Sequence, residues 1–442
     1  MSVCVIGAGP SGIAAIKNLL DEGVDVVAYD RNSDVGGNWI YSESESHSSV
    51  FETTHIISSK TLSQYEDFTF EDFEDGIPDY PSHDQLRRYF QAYAHRFDLY
   101  RHIEFNSLVH HCELLQDGQW EVTIEKQGET HQKHFSHLIV CNGHHWQPRL
   151  PDYPGEFSGE FLHSHQFKKA APFAGKRVLV IGGGNSACDV AVETSRVSKR
   201  TAISMRRGYR IIPKFLFGMP SDVVASRMSF LPRRIKYLLS EMTVRIVLGS
   251  NILYGLQKPT HRLAATHPTI NDELLHKLRH GKVVPKVDID HLDGQTVHFQ
   301  DGSSEEFDVI VACTGYVLTH PFFDKDFINY SEGDVRLYLK MLHPKIANLY
   351  FIGMFQPLGC IWPGAELQSK IVAREVAGKW KRPNNTEQLA EREVAHPHIK
   401  QIKSARHTIT VDYHQFMKDL RKQLPKDYVR KSPVAIKEAS LA

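Results

Sequence analysis

The chain has 442 residues, 41% apolar and 24% charged. That is room for about two or three domains of roughly 150 residues each, and it excludes wholesale disorder. Lys plus Arg and Asp plus Glu both number 52, so the formal net charge is zero. The balance excludes a general electrostatic pull toward nucleic acid or anionic membrane, though not a local basic stripe. No apolar run approaches the roughly 18 residues of a transmembrane anchor. The opening MSVCVIGAGP lacks the basic region and cleavage site of a secretory signal. Cys4, Cys112, Cys141, Cys188, Cys313 and Cys360 are too far apart for a CxxC redox pair or a zinc ribbon. They fit a reducing, cytoplasmic setting.

In chain order, residues 2–6 read as a strand, Gly7–Gly12 as a turn, and Ile13, Ile16, Leu19 and Leu20 as the apolar face of a helix closed by Gly23. Val24–Tyr29 is the next strand. Residues 33–83 read as loops. Residues 84–97 form a helix capped at Ser82 or Asp84. Strands follow around 103–110, 120–126 and 137–141. A second unit opens near 176: strand Arg177–Ile181, turn Gly182–Ala187, helix Cys188–Arg196 and strand Thr201–Met205. From about 215 to 280 the pattern is a helical insertion. Its apolar positions Phe215, Leu231, Ile235, Leu238, Leu239, Val244 and Val247 are expected to pack on the domain, a membrane-surface helix being the other reading. Strands are expected at 283–300, Phe307–Cys313 and Leu349–Gly353, and a helix near 364–378.

The two glycine turns carry the chemistry. Gly7, Gly9 and Gly12 make GxGxxG between a strand and a helix. Gly7 permits the tight turn, Gly9 lets backbone approach a pyrophosphate, and Gly12 allows close helix–strand packing. Pro10 and Ser11 begin the helix whose N–H groups face the phosphates. Asp30 ends the next strand, where a carboxylate accepts from ribose hydroxyls. Arg31, Gly37, Asn38 and Trp39 lie just beyond, Trp39 placed to cover a ring system. The second turn, Gly182, Gly184, Asn185, Ser186 and Ala187, fits GxGxxA. Arg206 and Arg207, rather than an acid, follow its second strand. Arginine there suits the 2′-phosphate of NADP. An acid-rimmed and a cation-rimmed site, without redox cysteines, imply electrons passing from NADPH to FAD. The 26 histidines show no metal-ligand spacing such as HExxH, so no metal is expected.

Between the turns, Phe157, Gly159, His163 and Phe167 fill an FxGxxxHxxx(Y/F) pattern, Cys313-Thr314-Gly315-Tyr316 is similar to an ATGY segment, and Cys141-Asn142-Gly143-His144 to an ATG-type segment. With the two turns and Gly36-Gly37-Asn38-Trp39, the chain resembles the flavin-containing monooxygenases from residue 2 to about 380. The resemblance implies an oxidoreductase of the N,N-dimethylaniline monooxygenase kind. NADPH reduces FAD, O₂ adds at flavin C4a to give a (hydro)peroxide, and a soft nitrogen or sulfur nucleophile takes one oxygen atom. It extends the FAD set to Thr54, Gly143 and Gln356 and the NADP set to Thr314, Gly315 and Tyr316. Baeyer–Villiger monooxygenases share the layout, but Phe167-Lys168 stands where their fingerprint has Trp. One departure matters: in His55–Lys60 the register puts Ile57 where the family's TNxxK-like segment has Asn, so no catalytic residue is assigned. An uncoupled NADPH oxidase or a flavoprotein reductase then stays open beside the Baeyer–Villiger alternative. The family's vertebrate members end in an apolar anchor; Ala435–Ala442 is short and mixed, so none is expected here.

The expected architecture is α/β, with two doubly wound Rossmann-like dinucleotide-binding domains. The NADP domain, 166–299 with the 215–280 insertion, interrupts an FAD domain formed by 1–165 and 300–442. The expected partners are O₂ and a small nucleophile, with homo-oligomerisation left open.

Overall fold

The computed structural model describes residues 2–44, 46–402 and 407–425; the expectation for Ala435–Ala442 lies outside them. Two five-stranded parallel sheets organise the chain. The first runs Leu349–Phe351, His137–Val140, Ser2–Ile6, Asp25–Tyr29, Ile103–Glu104. The second runs Val283–Lys286, Arg200–Ser204, Arg177–Ile181, Val309–Ala312, Glu160–His163. Their central strands are apolar at consecutive positions because both faces are covered, one by helices and the other by a smaller sheet. In each sheet the winding reverses beside the strand that carries the glycine turn. A crevice opens there at the strands' carboxyl ends.

Helix Pro10–Asp21 begins on a proline, whose missing N–H is no loss in the first turn. Ile13, Ile16 and Leu19 turn to the sheet and are fully buried, each worth roughly 1.5–3 kcal/mol. Gly23, at φ +76°, ends the helix in the left-handed region that glycine adopts freely. Helix His83–Arg96 starts where Ser82 and Gln85 cap each other's backbone N–H. Helix Trp362–Val376 is buried along most of its length and packs on Pro10–Asp21.

The structure departs from the sequence-based expectations at four places. The second nucleotide helix is Asn185–Thr194, starting three residues before the expected 188, because the turn is complete at the extended Gly184. Strand Glu129–Phe135 was not expected. Six of its seven residues are exposed, so it has no apolar alternation, and its pairing with Trp120–Lys126 forms it. The segment 215–280 is mixed rather than helical. A short hairpin, Phe215–Leu216 with Met219–Pro220, precedes helices Ser221–Arg227 and Arg233–Leu248. Helix Glu273–Arg279 then buries Leu274, Leu275 and Leu278 in the domain core. Finally, Glu160–His163 and Val309–Ala312 lie in the second sheet. An interior parallel strand needs a neighbour on each side, so the second unit extends past 166–299 at both ends, to about Gly155 and Tyr316.

Candidate functional site

At the first crevice the glycines act through space rather than through side chains. Gly7 has φ +100°, and a Cβ there would stand 2.7 Å from the Cys141 carbonyl oxygen. A Cβ on Gly12 would overlap the Gly7 carbonyl. A Cβ on Gly37 would lie 3.0 Å from the Gly9 Cα, so the two loops pass backbone to backbone. Ala8 donates its N–H to Asp30 Oδ2 at 2.6 Å and Asn32 to Oδ1 at 2.8 Å. Burial nevertheless pushes the Asp30 carboxyl above its ordinary value, and the two N–H donors only partly offset it.

Gly7, Gly9, Asp30, Asn32, Gly37 and Cys141 line a cavity of about 230 Å³, together with Pro10, Ser11, Arg31, Asn38, Trp39 and Gly143. A second cavity, of about 290 Å³, shares Asn38, Trp39, His144, His145, Ile361 and Trp362 with the first. Its wall carries Thr54, Ile57 and Gln356 from the first unit, and Gly184, Asn185, Ser186, Gly315 and Tyr316 from the second. The structure thus brings the two glycine turns onto adjoining hollows that share six lining residues. Trp39 lines both cavities and meets Trp362 edge-on with centroids 5.9 Å apart.

Other expected residues stand behind or beside these hollows. Gly182 repeats Gly7: a Cβ would lie 2.7 Å from the Cys313 carbonyl oxygen. Ala187 is buried core. Thr314 donates its hydroxyl to the Arg149 carbonyl at 2.5 Å. Arg206 is exposed, and the Arg207 guanidinium sits 5.5 Å from the Tyr209 ring centroid. Strand register pairs Ile6 with Tyr29 and Ile181 with Ser204. By that register Met205, not Arg206, occupies the place of Asp30, and Arg206 the place of Arg31. His163 is buried against Tyr316 at 5.3 Å, and burial lowers its pKa to about 4, so it stays neutral. That suits a structural role rather than a base.

Sequence reasoning missed Asp189, His267 and Cys360, which also line the second cavity. Asp189 follows Asn185 by one helical turn, a spacing that puts both on one face and was a readable signal. Asn271 donates to its Oδ1 at 2.7 Å, and burial raises its pKa to about 6. Asn271 also accepts from Leu274 N–H at 2.7 Å. His267 lies in a stretch read as helix and Cys360 in a loop, so neither carried a pattern. Among the described residues, no cluster of three His, Cys, Asp or Glu side chains is arranged to hold a metal.

The donors fit dinucleotides: crowded glycine backbones, free N–H groups at two helix starts, and a buried acid beside one turn. Comparisons with known proteins agree. The family model described as flavin-binding monooxygenase-like matches residues 1–429. Flavin-containing monooxygenase 5 of Mus musculus is 35% identical over 442 residues, covering 95% of this chain and 81% of the relative. Dimethylaniline monooxygenase [N-oxide-forming] 2 of Rattus norvegicus is 33% identical, with the same coverages. Among solved structures, the S-allyl-L-cysteine S-oxygenase of Allium sativum superposes with a TM-score of 0.71 at 22% identity, covering 96% of this chain and 88% of its own. A closed cyclohexanone monooxygenase gives 0.72 at 15%, covering 95% and 96%. The latter two likenesses speak for the fold, two Rossmann-like domains, and the former three for descent. The chain therefore belongs to the flavin-binding monooxygenase-like family and is a monooxygenase dependent on FAD and NADPH.

Proposed function

We propose that the first cavity holds FAD, that NADPH docks across the second glycine turn, and that a small, soft nitrogen or sulfur nucleophile is oxygenated where the two cavities adjoin. The observation that carries this is that the two cavities, one lined by each turn, share Asn38, Trp39, His144, His145, Ile361 and Trp362. FAD would lie along Gly7, Gly9, Pro10, Ser11, Asp30, Gly37 and Asn38, and when bound it supplies the reaction of O₂ that the protein cannot. The chain's own part is to position and to exclude water. Trp39, Ile57, Ile361 and Trp362 make an apolar ceiling. Asn185 and Ser186 begin the helix that faces the pyrophosphate of NADPH. The six free cysteines support a reducing compartment, the cytoplasm. Among the described residues no helix is long and apolar enough to cross a membrane.

The decisive assay follows NADPH consumption, O₂ uptake and product with trimethylamine, a thioether and a ketone. Coupled N-oxide or sulfoxide formation is the expected result. Lactone formation alone, or anaerobic NADPH oxidation with a protein acceptor, would refute the proposal.

Arg206→Ala tests the nucleotide assignment. Losing a charge-assisted contact to the 2′-phosphate removes about 1.5–3 kcal/mol. The KM for NADPH should rise roughly ten- to 100-fold, with the KM for NADH little changed. An equal rise for both would place the 2′-phosphate elsewhere.

Ile57 gives a second test. It cannot donate a hydrogen bond, and its polar neighbours are engaged: Thr54 Oγ1 accepts from Phe51 N–H at 2.9 Å, and the Ser58 and Ser63 hydroxyls lie 2.8 Å apart. Ile57→Asn restores a donor to the cavity wall. The share of NADPH electrons recovered as H₂O₂ should fall severalfold. An unchanged share would show the position to be indifferent.

A further inference from the structure

The segment that carries Ile57 is held from two sides. Its own unit supplies three backbone bonds: Ile56 donates to the Pro81 carbonyl at 3.0 Å, Lys60 to the Asp79 carbonyl at 2.7 Å, and His83 to the Thr54 carbonyl at 2.9 Å. Ser59 lies among them with no solvent exposure, and its N–H goes elsewhere. The acceptor is Asp222 Oδ2 at 2.6 Å, 163 residues further on, in the first turn of helix Ser221–Arg227 of the second unit. A buried N–H has no water to turn to, so losing Asp222 strands it. The bond is also charge-assisted, which makes it roughly twice as strong as a neutral one.

Asp222 is itself aimed by its surroundings. Its other oxygen accepts from Val223 N–H at 2.8 Å. Just upstream, Ser221 donates its hydroxyl to the Pro213 carbonyl, and both Asp272 carboxylate oxygens accept from Lys214 N–H at 3.0 Å. Next to Asp272, Ile270 donates to Asn185 Oδ1 at 2.7 Å and Asn271 to Asp189 Oδ1 at 2.7 Å. The arm 213–222 is therefore fastened to the segment that clasps the helix after the second glycine turn. It grips the first unit again at Tyr80, whose hydroxyl donates to the Lys214 carbonyl at 2.6 Å and whose ring meets Phe215 edge-on at 5.3 Å. Tyr80 lies between Asp79 and Pro81, the two residues whose carbonyls hold the Ile57 segment. Both grips thus bear on one stretch of wall.

We infer that Asp222 is a positioning residue for the oxygenation: acting through Ser59, it sets Ile57 and Ser58, which line the second cavity, from the unit that receives the nucleotide. Asp222 does not line the cavity itself. The inference rests on the reading that the nucleophile is oxygenated beside this wall.

The holoenzyme is tested in two ways. Amide exchange followed by mass spectrometry reads the wall without turnover. Asp222→Ala should speed exchange in the peptide 54–63 about tenfold or more, and Asp222→Asn, which keeps an acceptor for Ser59, by less than about threefold. Steady-state kinetics with a thioether reads the consequence. Asp222→Ala should raise the KM for the thioether roughly tenfold, the loss expected for one charge-assisted bond, and lower kcat by no more than about twofold. Asp222→Asn should restore most of the KM. Unchanged exchange in Asp222→Ala would overturn the inference. So would faster exchange with an unchanged KM, because Asp222 would then only hold the fold, and so would equal damage from Asn and Ala. Should Asp222→Ala lose its FAD, read at 450 nm, Tyr80→Phe decides instead. It loosens the same arm by one oxygen atom and should speed exchange in the peptide 54–63 about threefold; no change would overturn the inference. A parent enzyme that oxygenates no thioether, amine or ketone would refute the functional reading, and the exchange result alone would then decide the role of Asp222.

Discussion

Gly12→Ala is expected to purify colourless. The added methyl would overlap the Gly7 carbonyl oxygen, which is backbone held by the turn, so no rotamer change relieves it. Either the helix Pro10–Asp21 lifts from its strand or the turn opens. Both displace the N–H groups proposed to face the FAD pyrophosphate, and overpacking of this kind costs about 1–3 kcal/mol before any contact with cofactor is counted. FAD content should fall roughly tenfold or more, read as the ratio of absorbance at 450 nm to protein. Gly23→Ala is the control. Gly23 ends the same helix at φ +76° with open space around it, so alanine there costs about 1 kcal/mol of backbone strain and leaves the preparation yellow. A yellow Gly12→Ala at full stoichiometry would remove the first turn from the cofactor site.

Lys370→Met should destabilise the fold by about 3–5 kcal/mol, the usual result of stranding buried charge. Lys370 bridges Glu366 Oε1 and Glu66 Oε2, each at 2.8 Å, and Arg421 reaches Glu66 from the surface. Glu366 has no solvent exposure and also accepts from Glu66 N–H at 2.7 Å. Burial raises its pKa to about 7, with Lys370 opposing and Asp67 and Glu66 adding to the rise. A raised carboxyl pKa means the folded state holds the proton more tightly than the unfolded one. Stability from this group is therefore present at low pH and falls as pH rises from the unfolded value, about 4.3, through about 7. Removing Lys370 widens that window, so the loss in Tm should be larger at pH 8 than at pH 6. Adding Glu366→Gln should recover much of it. A pH-independent loss, unaffected by Glu366→Gln, would mean that Lys370 matters only as packing.

Much of the fold was legible because its signals are local. The runs SVCVI and RVLVI, the glycines after them and the apolar spacing of 13, 16 and 19 each depend on neighbours in sequence. Ser82 announced a helix start for the same reason. What escaped reading depends on partners far away. Glu129–Phe135 is a strand only because Trp120–Lys126 lies beside it. The second unit's true edges are set by Glu160–His163 pairing with Val309–Ala312, some 150 residues apart in sequence. At the site, the glycines and Tyr316 were readable from motifs, whereas His267 and Cys360 arrive from irregular segments whose course no periodicity records. The exposure of Ile235, Leu238 and Leu239 on helix Arg233–Leu248, where packing on the domain was expected, was illegible for a different reason. Periodicity reveals that a helix has two faces and is silent on which one the protein keeps.

The correspondence between the two glycine turns extends to atoms. Ile6 and Ile181 accept the N–H of Cys141 and Cys313, both at 2.8 Å, and Gly7 and Gly182 donate to Tyr29 and Ser204 at 2.8 and 2.9 Å. Such matching, down to a cysteine–X–glycine step at the same corner, means that one backbone cradle is built twice in the chain. Because the cradle is backbone, what tells the halves apart lies just beyond it: Met205 stands where the first half keeps Asp30.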